Sequence, residues 1–166
     1  MNRRSFLALG GLGIGAASGY FGWHYHSLSI PDGMEVETQH FERDVLSENS
    51  SRESDFLKWR HEYQTILTDR DAARRELIDS DSVTSFLDDT GFDDSYLIVV
   101  QNGMQSEMEL VLDGISRQGE NLQLNVTINS PQGGPDDLLT HSLLIRIIDE
   151  DGGVPERVSV DIEGYV

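Results

Sequence analysis

The sequence predicts an α+β protein that is mainly β: a small antiparallel β-sandwich or open barrel with two short helices, preceded by an N-terminal signal or anchor helix. Three observations support this. Short segments of residues 92–166 alternate apolar and polar side chains, residues 55–91 contain helix-forming and capping residues, and an uncharged stretch follows two arginines at the N-terminus. We expect a signal or anchor over 1–26, a polar linker over 27–54, and an acidic β-rich domain over 55–166, with a helical cap (55–91) and an antiparallel sheet (92–166).

The N-terminal segment has the layout of an export signal. Arg3 and Arg4 precede Phe6 and Leu7, and the 18 residues from Phe6 to Trp23 contain no charge and six glycines. Such a stretch would make a weak buried helix, since each glycine costs up to about 1 kcal/mol relative to alanine. The paired arginines before a mildly apolar run resemble a twin-arginine signal, which implies export through the twin-arginine translocase.

Cleavage of this segment and its retention as an anchor are both open. Residues 16–19 are small but contain no Ala-x-Ala triplet, and Tyr20, Phe21 and Trp23 favour a membrane–water interface. An apolar stretch of about 18 residues is at the short end of what spans a bilayer. We favour a membrane anchor whose positive end stays inside while the rest of the chain reaches the cell surface.

The charge of the chain indicates adaptation to a salt-saturated solvent. Residues 31–166 hold all 30 acidic residues but only 10 basic ones, and Lys58 is the only lysine. At molar salt the Debye length falls to about 3 Å, which screens this self-repulsion. A mesophilic acidic protein with a basic partner would instead concentrate its acids on one element. The negative charge excludes nucleic acid as a partner, and the absence of cysteine excludes disulfides and thiolate chemistry.

The predicted cap contains two helices and one ambiguous segment. The apolar residues at spacings of three and four are Phe56, Trp59, Tyr63 and Ile66. They favour a helix that ends near Tyr63 and is followed by a short strand, and a strand over 63–68 is the alternative. Asp69 is the predicted N-cap of a helix that runs to Leu77, and a second short helix is expected over 81–90.

Five strands are predicted beyond the cap. They are expected at 96–100, 110–113, 122–128, 138–148 and 158–163. The segment 138–148 is apolar on both faces, which is typical of a central strand. Asn102-Gly103 is a favoured turn pair, and the alternation of Met34 and Val36 with two glutamates permits one further short strand.

Parts of this region resemble a family of exported haloarchaeal proteins of unknown function. The matching stretches are Phe92-Asp93-Asp94-Ser95-Tyr96-Leu97-Ile98-Val99-Val100-Gln101, Thr140-His141-Ser142-Leu143-Leu144-Ile145-Arg146-Ile147 and the Val-rich terminal strand, within about the last hundred residues. The strand order is also distantly similar to the C-terminal domain of the partner subunit in a bacterial subtilisin-like protease complex. Where that domain has a Gly-Gly-aromatic triplet and a Pro-aromatic pair, this chain has residues 106–108 and Ser142-Leu143. No protease-stabilising role is therefore carried over.

No catalytic residue is predicted. Thr140, His141 and Ser142 lie near Asp136 and Asp137 in sequence, so the residue types of a hydrolase triad are present. Adjacent histidine and serine residues in one strand point to opposite faces and cannot share a proton directly. The chain also lacks a Gly-x-Ser-x-Gly turn. We therefore expect a protein that is not an enzyme.

Five other residues are candidate sites. Asp149 and Asp151 are the candidate ligands for a weakly bound Ca²⁺ or Mg²⁺, while most acidic pairs are expected to be solvated and no other cofactor is expected. Asn49 and Asn125 match the N-glycosylation pattern, and Asn49 lies in the predicted linker. Arg146 lies in an apolar strand, so it should either pair with an acid or face a partner.

Together these observations predict an exported, salt-adapted acidic β-domain that acts as a cell-surface binding or interaction module of unknown ligand. Its expected partners are the twin-arginine translocase during export, the membrane through the N-terminal segment, and an unknown surface protein. The alternative is a cation-binding or enzyme-accessory surface protein, and a hydrolase is the least favoured function.

Overall fold

A computed structural model describes residues 28–52 and 58–165, which form seven strands and two short helices. In chain order they are β1 (Met34–Phe41), β2 (Glu62–Leu67), α1 (Arg70–Glu76), α2 (Asp81–Asp88), β3 (Ser95–Met104), β4 (Glu109–Gln118), β5 (Asn121–Asn129), β6 (Leu139–Asp149) and β7 (Arg157–Glu163). One sheet has the antiparallel order β1-β6-β3-β2, and the other has the order β4-β5-β7 with β5 and β7 parallel. The sheets do not close into a barrel, so the predicted mainly-β α+β class is confirmed in its sandwich form. The prediction of a wholly antiparallel sheet over 92–166 is wrong for β7, which pairs parallel to β5.

The four-stranded sheet is covered on both faces, which gives the protein three layers. Toward the three-stranded sheet, Tyr96, Ile98 and Val100 of β3 belong to one core cluster with the apolar face of β5. Toward the helices, Leu97 and Val99 belong to a second core cluster with buried residues of α1 and α2. Because both faces are covered, all ten residues of β3 are buried. The double-sided apolar pattern predicted for β6 has the same cause.

The two helices form where the capping residues predict them. The Asp69 side chain accepts a hydrogen bond from the backbone N–H of Ala72 at 2.7 Å and thereby caps α1. The predicted helix that ends near Tyr63 is wrong for residues 58–63, because a turn at 59–60 leads directly into β2. Strand β2 pairs with β3 along its whole length, so the strand alternative is correct.

The predicted linker over 27–54 is wrong as a description of residues 28–52. Strand β1 pairs with β6 over its full length, and Val45 and Leu46 are buried against the helices. Ser29 accepts a backbone hydrogen bond from Ile115 of β4 at 2.7 Å, so the fold begins by residue 29. The sequence signal was weak here because the buried residues after β1 are too few to show a periodicity.

The predicted turn at Asn102-Gly103 is also wrong, since both residues lie inside β3 and pair with His141 and Thr140. Position 103 needs a glycine because of close packing and not because of a turn. A Cβ atom there would lie 2.0 Å from the carbonyl oxygen of Lys58, so the glycine allows two backbone segments to approach closely.

The export residues Arg3, Arg4, Phe6 and Leu7 lie outside the described residues. Across 28–52 and 58–165, the helices are too short and too polar to cross a membrane.

Candidate functional site

Buried polar residues concentrate where β3 ends and β6 begins. Five of the eight buried polar residues in the described chain lie there, namely Gln101, Asn102, Thr140, His141 and Ser142. We call this set the polar end. The β3–β6 register places Gln101 beside Ser142 and Asn102 beside His141. Burying polar groups without a compensating role destabilises a fold, so this concentration makes the polar end a candidate functional site.

One face of the polar end holds a fully bonded network. The Ser142 hydroxyl donates to the carbonyl oxygen of Arg43 at 2.7 Å and accepts from the Gln101 amide at 2.9 Å. The same amide donates to Asp44 at 2.8 Å, and Arg52 contacts both Asp44 and Gln101. Burial alone would raise the pKa of Asp44, but the hydrogen bonds from Arg52 and Gln101 outweigh it and lower that pKa. With its hydroxyl used in this network, Ser142 is a structural residue.

A pair of histidines lies at the same end. His40 Nε2 and His141 Nδ1 are 3.1 Å apart, and their rings stack with 5.3 Å between centroids. Burial, with a smaller contribution from His141, lowers the pKa of His40 to about 4. Burial also lowers the pKa of His141, whose Nε2 has no hydrogen-bond partner among the described residues. His141 therefore bonds to His40 and Ser142 bonds elsewhere, as the alternation of side chains along β6 predicts.

Tyr165 fastens the C-terminal segment to the polar end. Its hydroxyl accepts a hydrogen bond from the Asn102 amide and donates to Glu62 at 2.9 Å. Burial, together with the bond to Glu62, raises the pKa of Tyr165 to about 12. The guanidinium of Arg60 lies 4.5 Å from the centre of the Tyr165 ring. These contacts join β2, β3 and the C-terminus at one place.

A groove of about 440 Å³ opens beside the polar end, and we call it the Trp59 groove. It is lined by Trp59, Gln105, Asp136, Asp137 and Leu138. The Trp59 side chain is 44% exposed, although a ring of this size is normally buried. Asp137 accepts hydrogen bonds from the hydroxyl and backbone N–H of Ser106, which lower its pKa. An exposed aromatic ring beside two carboxylates is suited to a ligand that carries both positive charge and apolar surface.

Asp149, one of the two predicted cation ligands, already has partners within the fold. One oxygen of Asp149 pairs with Arg117, and the other accepts a hydrogen bond from the backbone N–H of Gly152 at 2.8 Å. Asp151 is exposed on the following turn. Within 28–52 and 58–165, no three acidic or histidine side chains are grouped so that they could hold a metal ion.

Arg146 pairs with an acid of its own chain. Its guanidinium contacts the carboxylate of Glu37, its cross-strand neighbour in β1, and lies 5.3 Å from the Phe86 ring centre. Burial lowers the pKa of Arg146, and its side chain is only 15% exposed. Of the two predicted roles, the structure favours the internal ion pair over contact with a partner.

The two glycosylation candidates are both exposed, but their settings differ. Asn49 lies in a turn two residues before Ser51, whose backbone N–H donates a hydrogen bond to the carboxylate of Glu76. Asn125 is on the outer surface of β5, and the Thr127 hydroxyl of its motif donates to Asp113. Asn49 is thus part of the folded domain and not of a linker.

Comparison with protein-family models, with curated proteins and with solved structures gives no match. The resemblance to exported haloarchaeal proteins stays a prediction. Sequence reasoning missed two residues of the site. The helix prediction includes Trp59, and the linker prediction includes His40. The alternation of apolar and polar residues that begins at Met34 was the signal that could have placed His40 in a strand.

Proposed function

We propose that this chain is an exported, salt-adapted binding module of the cell surface and that the Trp59 groove contacts a basic segment of a partner protein. The observation that carries the proposal is the exposed Trp59 ring beside Asp136 and Asp137. A lysine or arginine side chain can place its charge near the carboxylates and its methylene groups on the ring. Leu139, which is 36% exposed, adds apolar surface directly after the groove residue Leu138.

The charge of the chain supports a basic partner and a salty medium. With 30 acidic residues and 12 basic ones, long-range attraction for a basic segment would be strong in dilute buffer. At molar salt that attraction is screened within about 3 Å, so only close contacts contribute. The exposed aromatic ring matters most under those conditions, because apolar contact is not screened by salt.

Binding at the groove is tested by tryptophan fluorescence. Trp23 and Trp59 are the only tryptophans, so the full chain with Trp23→Phe reports on Trp59 alone. We expect an arginine-rich peptide to change the emission in molar salt, and a glutamate-rich peptide of equal length to leave it unchanged. The double variant Asp136→Asn, Asp137→Asn should weaken the response. Val154→Ala, at an exposed apolar residue outside the groove, is the matched control and should not.

Two results would contradict the proposal for the groove: equal responses to both peptides, or an unchanged affinity in the double aspartate variant.

Export is tested separately by cell fractionation and intact mass. The native chain should reach the cell envelope, and the Arg3→Lys, Arg4→Lys variant should stay inside. The mass of the exported form decides between a cleaved signal and a retained anchor.

A further inference from the structure

Strand β7 leaves one edge of the three-stranded sheet open. The sheet has the order β4-β5-β7, so β7 pairs with β5 on one side only. Within 28–52 and 58–165, no backbone hydrogen bond reaches residues 157–163 from outside that sheet. An open edge presents unpaired N–H and C=O groups, to which the strand of another chain can add.

The two faces of β7 differ in what they leave uncovered. Its inward-facing residues belong to the core between the sheets, but Val158 and Val160 are only half-buried there. Its outward-facing residues are all exposed, namely Arg157, Ser159, Asp161 and Glu163. A strand added at this edge would therefore cover apolar surface on the inner face and meet charged side chains on the outer face.

The charges of β7 indicate which strand fits beside it. Arg157 lies at its start and Glu163 at its end, and neither takes part in an ion pair of the described chain. If two copies of β7 pair antiparallel about Val160, Arg157 of each copy lies directly opposite Glu163 of the other. Opposite charges at such positions stabilise a strand pair. This register also pairs all seven residues of the strand, so β7 is complementary to itself.

The other edge strands of the described chain do not have this property. Strands β1 and β2 contain glutamates but no lysine or arginine, so two copies of either would bring like charges together. Strand β4 is already bridged at Gly114 by Ser29. A basic strand of another protein fits β7 less well than a second copy does, because it would place a like charge opposite Arg157.

We propose that the chain forms a symmetric dimer through β7, which joins two three-stranded sheets into one continuous sheet of six strands. The two-fold axis passes beside Val160. Each copy has a formal charge of −18, so dilute buffer opposes the dimer. Molar salt screens that repulsion within about 3 Å and leaves the cross-strand contacts in place. No residue of the Trp59 groove lies in β7, so the dimer carries two free grooves.

Sedimentation velocity of the full chain, over a concentration series in molar sodium chloride, tests the dimer and its charges. The native chain should sediment as a dimer. Arg157→Glu should raise the dimer dissociation constant by about tenfold, because two attractive pairs become two repulsive ones, and Glu163→Arg should do the same. The double variant that combines both changes restores the opposite charges and should restore the dimer. Asp136→Asn, outside β7, is the control and should leave the dimer unchanged.

Cysteine cross-linking tests the register, since the native chain has no cysteine. Val160→Cys places the two copies of position 160 opposite each other, with about 5 Å between Cα atoms, which a disulfide can span. Val158→Cys is the matched control, because that residue is equally half-buried on the same face. Its two copies would lie about 14 Å apart along the strands. Oxidation with copper phenanthroline should link Val160→Cys into a dimer and leave Val158→Cys unlinked.

Three results would overturn the proposal. Sedimentation as a monomer at every concentration in molar salt would exclude the dimer. A dimer that both single charge reversals leave unchanged would show that the chains associate elsewhere. Equal cross-linking of the two cysteine variants would show that the link forms by random collision. None of these results bears on the Trp59 groove, whose test uses the emission of Trp59.

Discussion

Acidification should destabilise the folded domain through the His40–His141 pair. His40 is expected to be neutral in the folded protein at pH 5, because burial lowers its pKa from 6.5 to about 4. In the unfolded chain the same side chain is protonated below pH 6.5. The unfolded state therefore binds more protons between these two values, and the free energy of unfolding falls as the pH falls through this window.

The size of the effect follows from the width of the window. Each pKa unit corresponds to about 1.4 kcal/mol, so His40 alone accounts for a loss of about 3 kcal/mol between pH 6.5 and pH 4. His141, whose pKa is also lowered by burial, adds to the loss in the same direction. Asp44 contributes at lower pH. Because its pKa is lowered in the folded protein, the stability that it provides is lost only as the pH falls below 3.8, the ordinary pKa of an aspartate.

Urea denaturation at a series of pH values in molar salt measures this loss. High salt is needed because protonation of surface carboxylates in dilute buffer relieves self-repulsion and would oppose the histidine effect. His40→Gln should flatten the dependence between pH 6.5 and pH 4. Proton NMR should show His40 titrating near pH 4 in the folded chain.

The reasoning would be refuted by a His40 midpoint near 6.5 in the folded protein. It would be refuted equally by a native chain and a His40→Gln variant that lose the same free energy of unfolding across the window.

Three further predictions concern single residues. Gly103→Ala should destabilise the domain by about 1–3 kcal/mol in urea denaturation, because its Cβ would overlap the Lys58 carbonyl, and unchanged stability would contradict this. Asp69→Ala should cost about 1 kcal/mol in the same assay, since the Ala72 N–H loses its acceptor; unchanged stability would show that the cap is dispensable. Glycosylation at Asn49 predicts that Asn49→Gln lowers the intact mass of the exported protein by one glycan, and an unchanged mass would exclude it.

The sequence predicted those elements whose signal lies within the element itself. Asp69 predicts the start of α1 as its N-cap, and the alternation of apolar and polar residues from Leu122 to Ile128 predicts β5. The pairing of β1 with β6 depends on residues more than a hundred positions apart, so local patterns in the predicted linker could not show it. The Asn102-Gly103 pair favours a turn locally, but ladder bonds to β6 and close packing on Lys58 keep it extended.

For the candidate site residues, neighbours in the sequence did not predict the partners that the fold supplies. The acidic neighbours of Asp149 predict a cation ligand, but one of its carboxylate oxygens pairs with Arg117, which lies 32 positions away in sequence. Arg146 was recognised correctly as a charge that needs a partner, because an arginine among apolar residues signals burial directly. Its partner Glu37 could be named only from the β1–β6 register.

The three-layer architecture restricts where this protein can bind anything. Strands β3 and β6 are buried on both faces, so a polar group near their middle would have to be satisfied within the fold. Polar groups can meet solvent only where these strands end and the covering layers stop. The Trp59 groove lies at one of those ends, beside the polar end, and two of its lining residues, Asp136 and Asp137, are carboxylates. A cationic ligand at the Trp59 groove, as we propose, would bind outside the two apolar clusters and would leave their packing unchanged.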